Sequence, residues 1–207
     1  EPYGGRAQGG ASEVYGMTYA EARRDLRFWL LLLSVMIITG CCASVVQQLA
    51  SYVSDIGYSY EVSAMVSSCS LGLMAVGKLL TGRMYDKLGV RTSTLICMAC
   101  VIGGIGILSM AASGVAFIGV FLVLFGVGCA LTTVAYPILT TALFGNRDYS
   151  SIYGIVNVAN SVGTAVGSPI AAAIFDSQGS YVPAWYLAAA LLCVDFVVLL
   201  VMFRKKP

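Results

Sequence analysis

The chain contains no histidine. That absence removes Ser-His-Asp catalysis, HExxH zinc sites, His-ligated haem and His-box iron oxygenases together. Charge is also scarce: Asp, Glu, Lys and Arg make up 11% of the 207 residues, where a soluble domain carries about 25%. A net charge of +2 without a long basic run excludes nucleic acid as a partner, and the composition is not that of a disordered chain. The seven cysteines (Cys41, Cys42, Cys69, Cys97, Cys100, Cys129, Cys193) are an odd number and all fall in apolar stretches. Cys97 and Cys100 form a CxxC without a second pair, so free thiols serving as small packing residues fit them best. No nucleophile–base pair, metal cluster or cofactor motif is visible, and the sequence reads as neither an enzyme nor a cofactor carrier.

Apolar residues, by contrast, make up 58% of the chain, and its mean hydropathy is +0.86. A soluble protein of this composition could not cover its surface, so lipid is the expected solvent. A hydrocarbon core of about 30 Å needs about 20 apolar residues in a helix. Six stretches qualify, at about 28–52, 61–82, 92–112, 115–143, 150–175 and 183–203, here termed spans a to f. Span d is long for one crossing and is expected to tilt or to bend at Pro137. The fold class is therefore all-α: a polytopic membrane protein with six transmembrane helices over 26–204. Residues 1–25 form a cytoplasmic linker and lead-in helix, and 205–207 a cytoplasmic tail. The Gly-rich segment 1–17 reads as a mobile linker, and Thr18 to Glu21 as a capping box. The chain opens on Glu1 without a signal-peptide pattern and is expected to be a piece of a longer protein.

The twelve basic residues support six crossings. Arg6, Arg23, Arg24 and Arg27 precede span a. Lys78, Arg83, Lys87 and Arg91 surround the b–c connection, Arg147 lies between d and e, and Arg204, Lys205 and Lys206 follow f. With six spans, all of these fall on one side, which puts both termini in the cytoplasm of a multi-pass protein of the cell membrane.

Polar residues mark helices that face something other than lipid. Span a carries Ser44, Gln48, Ser51 and Asp55 on one side, with Gln47 adjacent. Span b carries Ser63, Ser67, Ser70, Lys78 and Thr81; span d Cys129, Thr133, Tyr136 and Thr140; span e Tyr153, Asn157, Asn160, Thr164 and Ser168. Spans c and f have no such stripe. Asp195 alone interrupts f and reads as a protonated carboxyl packed against a neighbouring helix. Lys78 lies four residues before Gly82, about 6 Å inside the cytoplasmic end. It either snorkels to the interface or offers a cation to an anionic substrate. The sequence Gly163 to Gly167 is a GxxxG that lets helices approach closely.

The b–c connection runs Gly82-Arg83-Met84-Tyr85-Asp86-Lys87-Leu88-Gly89-Val90-Arg91. It resembles the signature loop of the major facilitator superfamily. The resemblance implies the C-terminal six-helix half of a twelve-helix carrier, with spans a, b, d and e lining a cavity and c and f facing lipid. Gly82, Arg83, Asp86, Lys87, Gly89 and Arg91 would then form the gating loop against an absent N-terminal half. Three further segments, 25–31, 52–59 and 144–154, are similar to the monocarboxylate and oxalate/formate branch. In that branch a basic residue, usually Arg, binds the substrate carboxylate at the position held here by Lys78. The expected function is secondary active transport of a small organic anion, a monocarboxylate before others, by alternating access. Lys78, Gln48, Tyr136, Asn157 and Asn160 are its candidate substrate contacts. The rival readings are a multidrug-type efflux carrier and a non-transporting six-span partner or sensor protein.

Overall fold

The computed structural model of the chain describes residues 15–204. Arg6, Lys205 and Lys206, with most of the Gly-rich lead-in, lie outside the described residues. The rest is helical: α1 (Tyr19–Ala22), α2 (Leu26–Asp55), α3 (Tyr60–Leu108), α4 (Val115–Gly128), α5 (Tyr136–Phe144), α6 (Tyr149–Gln178) and α7 (Val182–Arg204). A 3-10 turn (Ala111–Ser113) precedes α4, and a π-helical turn (Leu131–Ala135) joins α4 to α5. Helix α2 corresponds to span a, α6 to e and α7 to f. Six membrane-crossing helices result, because the 49 residues of α3 are two crossings joined end to end.

The join in α3 differs from a loop. Residues 83–88 are mostly good helix formers, so the backbone stays helical as it leaves the apolar stretch. The break falls at Gly89, whose φ of 77° and ψ of 167° need a residue without a Cβ. The arm before Gly89 is span b and the arm after it is span c. Span d departs from a simple bend at Pro137. Proline lacks an N–H and its ring would strike the carbonyl of Thr133, so the turn before it opens to a π-helix. Pro137 itself sits in the first turn of α5, where it is tolerated.

Short-range chemistry sets the ends. Thr18 and Glu21 form a capping box on α1, with Glu21 Oε2 accepting from the Thr18 N–H at 2.8 Å. That backbone hydrogen bond holds the Glu21 carboxyl below its ordinary range. The capping box is thus complete above the ordinary carboxylate pKa and is lost as pH falls through the lowered value. Residues 15–19 are fastened to the turn after α5. Met17 N donates to Phe144 O at 2.8 Å, Asn146 N to Tyr15 O at 2.9 Å, and Tyr19 N to Asp148 Oδ2 at 2.9 Å. Aromatic clusters close both ends of the bundle. Tyr19, Trp29 and Phe144 each set an edge against Phe28 at one end. At the other end Tyr181 stacks on Phe175 and Trp185, and the Tyr52 hydroxyl donates to Leu108 O at 2.8 Å.

In lipid, apolar side chains gain nothing by leaving the solvent, so close backbone approach has to hold helices together. Two crossings supply it. A Cβ on Gly167 would collide with the Gly40 carbonyl, and one on Gly163 would lie 2.5 Å from Met36 O, so the GxxxG joins α6 to α2. On the other side of the bundle, a Cβ on Gly77 would collide with the Gly126 carbonyl, joining α3 to α4. Gly72 and Gly82, on the same helix as Gly77, meet nothing within 4 Å. A Gly167→Ala variant is expected to lose about 1–3 kcal/mol of stability through overpacking. Gly106→Ala, whose Cβ would meet open space, should not. Thermal unfolding of the two variants in detergent checks the contrast.

Candidate functional site

A pocket of about 280 Å³ opens between four of the six crossings. Helix α2 contributes Thr39, Cys42, Ala43, Val46 and Gln47. The first arm of α3 contributes Met74, span d contributes Cys129, Thr132 and Thr133, and α6 contributes Asn160 and Thr164. No residue of the second arm of α3 or of α7 lines it. A second recess of about 200 Å³ lies between α2, α6 and α7, but it is almost wholly apolar and holds no candidate site residue.

Behind the polar pocket a buried hydroxyl network ties three helices. The Thr39 hydroxyl donates to Asn160 Oδ1 at 2.9 Å and contacts the Tyr136 hydroxyl at 2.8 Å. With the Thr39 proton on Asn160, the Tyr136 hydroxyl donates to Thr39 at 2.8 Å in preference to Val35 O, its other acceptor, at 3.5 Å. Tyr136 is 3% exposed, so its hydroxyl orients the pocket wall from behind and does not itself face the pocket. Asn160 is thereby held with its amide at the surface of the pocket.

The other candidates sit differently. Gln48 is turned away: its Nε2 donates to Ser168 Oγ at 3.1 Å, and its Oε1 accepts from the Tyr181 hydroxyl at 3.2 Å. Gln47, one residue earlier, is exposed and lines the pocket in its place. Asn157 is exposed one turn from Asn160 and does not reach the pocket lining. Lys78 is exposed one turn beyond Met74, within electrostatic reach of Cys129, and pairs with no acid among the described residues. Most of the span b stripe serves structure. Ser63 is buried and donates to Ser59 O, Ser67 donates to Ser63 O, and Thr81 is buried against Val127 O.

In the signature segment, Arg83, Asp86, Lys87 and Arg91 are all exposed and unpaired among the described residues. Gly89 supplies the break in α3, as noted. Among the described residues nothing comes within 4 Å of a Cβ built at Gly82. Asp195 is wholly buried away from the pocket. Neither of its oxygens has a hydrogen-bond partner among the described residues, and nor does the Ser34 hydroxyl beside it.

Thr39, Cys42, Met74 and Thr132 were not singled out in the sequence. A signal for the first was present: Thr39, Ala43, Val46 and Gln47 follow helical spacing. Their line lies one residue, or 100°, from the Ser44–Gln48 line that polarity alone favours. The latter faces α6 and α7.

Apolar crossings around a pocket with polar side chains in its wall define a multi-pass membrane protein. The chain belongs to the Major Facilitator Superfamily, whose sequence profile it matches over residues 29–207. Monocarboxylate transporter 12 of Homo sapiens is 23% identical over 175 residues, which are 83% of this chain and 34% of that protein. Its Rattus norvegicus counterpart is also 23% identical over 175 residues, 36% of its length. The E. coli fucose:proton symporter FucP superposes with a TM-score of 0.67 at 16% identity, over 91% of this chain and 45% of that one. FucP in an outward conformation gives 0.68 at 15% identity, over 92% and 46%. These structures share the fold. The chain spans from about a third to just under half of the proteins it resembles.

Thr39→Val is expected to remove both hydrogen bonds of the network and to destabilise the protein by about 1 kcal/mol. Thr39→Ser, which keeps the hydroxyl, should be neutral. Thermal unfolding of both variants measures the difference.

Proposed function

We propose that this chain is the C-terminal half of a secondary transporter that moves a small organic anion, most simply a monocarboxylate, across the cell membrane. The observation that carries this reading is the Lys78 ammonium. It is exposed, without an acidic partner among the described residues, and one turn from the wall of a pocket that otherwise carries only neutral groups. A cation within a crossing costs about 2.5–3.5 kcal/mol on insertion scales, and an incoming carboxylate would offset that cost. Asn160, Gln47 and the hydroxyls of Thr132, Thr133 and Thr164 would supply hydrogen bonds to its oxygens. Names of relatives support the same substrate class, since two of them are monocarboxylate transporters.

Transport would proceed by rocking this bundle against an N-terminal six-helix half around the pocket. Both termini would lie in the cytoplasm, where the basic residues between crossings collect. The open space at Gly82 and the unpaired Arg83, Asp86, Lys87 and Arg91 support a closing contact with that half. Gln48 and Tyr136 would act as positioning residues, and Asn157 would face the opposite half.

In the full-length carrier reconstituted in liposomes, Lys78→Ala should abolish uptake of a labelled monocarboxylate, and Lys78→Arg should retain part of it. Simple carboxylates should compete in the unsubstituted protein. Undiminished uptake in Lys78→Ala would remove the lysine from the site, and indifference to carboxylates would favour an efflux carrier for neutral or cationic compounds.

A further inference from the structure

The polar pocket has a wall that an organic anion leaves unused. Cys42 on α2 and Cys129 at the end of α4 both line it, each 2% exposed. The two thiols face each other across the α2–α4 contact within mutual electrostatic reach, and both are free. The third sulfur is Met74, a thioether that reaches the same pocket from the first arm of α3. Among the described residues no three His, Cys, Asp or Glu come together in a way that could hold a metal ion, so neither a four-ligand zinc site nor an oxygen cage for calcium or magnesium is formed here.

Two thiols and a thioether from three different helices are the donor set of a soft monovalent cation. We propose that Cys42, Cys129 and Met74 form a binding site for copper(I). Binding is a ligand exchange without a redox change. Each thiol gives up its proton, two Cu–S bonds form, and two protons leave for every copper(I) taken up. The bis-thiolate complex then carries one negative charge. Lys78 is the cation within electrostatic reach of Cys129 and balances it. The thioether is a neutral third ligand and adds no charge. The lysine that suits a carboxylate therefore also suits a copper–thiolate anion, and the two occupants would exclude each other.

The site needs no transport activity, so its test is independent of the uptake assay. Copper(I) held by bicinchoninate is titrated anaerobically with the purified full-length carrier, and transfer is followed by loss of the coloured chelate. Cys69 and Cys193 are exposed and Cys100 is half-exposed, and all three are first replaced by serine so that accessible thiols outside the pocket do not contribute. This parent should withdraw one copper(I) per chain. Cys42→Ser and Cys129→Ser, both near-isosteric, should each return the metal to the chelator. Lys78→Gln should weaken binding by about tenfold, as an outer-shell partner does. Met74→Leu should give a smaller loss, with the third sulfur missing from the copper X-ray absorption spectrum. Withdrawal by the Cys42→Ser/Cys129→Ser double variant equal to that of the parent would overturn the assignment. So would a parent that withdraws no copper while eluting as a folded protein.

Discussion

A Cβ on Gly167 would run into the Gly40 carbonyl and one on Gly77 into the Gly126 carbonyl, so neither of these two glycines could take a side chain without moving a backbone. In a medium where apolar side chains are indifferent to burial, these contacts are what fix α2 to α6 and α3 to α4. They also fix what remains. Two tightly joined pairs leave a gap between them, and the side chains facing it come from α2, α6, the first arm of α3 and span d. The polar pocket is therefore a consequence of where glycine permits contact. Its lining helices are the four that carry polar residues, because polar groups are tolerated only where lipid does not reach.

Within the gap the polar groups do not all serve the same end. Thr39, Tyr136 and Asn160 form a chain of hydrogen bonds that holds the Asn160 amide at the pocket surface. That chain joins α2, span d and α6, so the wall keeps its shape without help from whatever occupies the pocket. The π-helical turn at Leu131–Ala135 belongs to the same design. It is forced by Pro137, and it brings Thr132 and Thr133 to the pocket while Cys129 turns toward Cys42. A straight helix through the same residues would distribute these side chains differently around its axis.

The architecture was legible in the sequence because its signals are large. Six apolar stretches and one-sided basic residues define the crossings, and the four helices with polar stripes are the four that line the pocket, span b through Met74 and not through its stripe. Residue-level assignments were less secure, since a one-residue error on a helix is a 100° rotation. Gln48 and Gln47 are chemically equal in sequence. Only packing against Ser168 and Tyr181 shows that Gln48 is occupied. Ser63 and Thr81 look like cavity residues until their backbone partners are known, because serine and threonine satisfy themselves within a helix. Cys42 and Met74 are apolar by any scale, so a polarity search passes over them. Their meaning arises only when three helices bring sulfur together.

The least buried crossing sharpens the functional argument. Only 22% of the most apolar stretch of α6 is buried, against 56% for α2. The exposed side of α6 is mixed, with Asn157, Ser161 and Thr164 at helical spacing beside exposed Val158, Val162 and Val166. The two hydroxyls fold back onto the helix, bonding Asn157 O and Asn160 O at 3.0 Å each. The Asn157 amide has no hydrogen-bond partner among the described residues. A bare amide on an uncovered helix face needs water or a polar neighbour. The first arm of α3 poses the same demand with Lys78 and, at its end, Arg83 and Asp86. Both demands lie on helices that border one pocket, and a second bundle enclosing water against that side would meet them together.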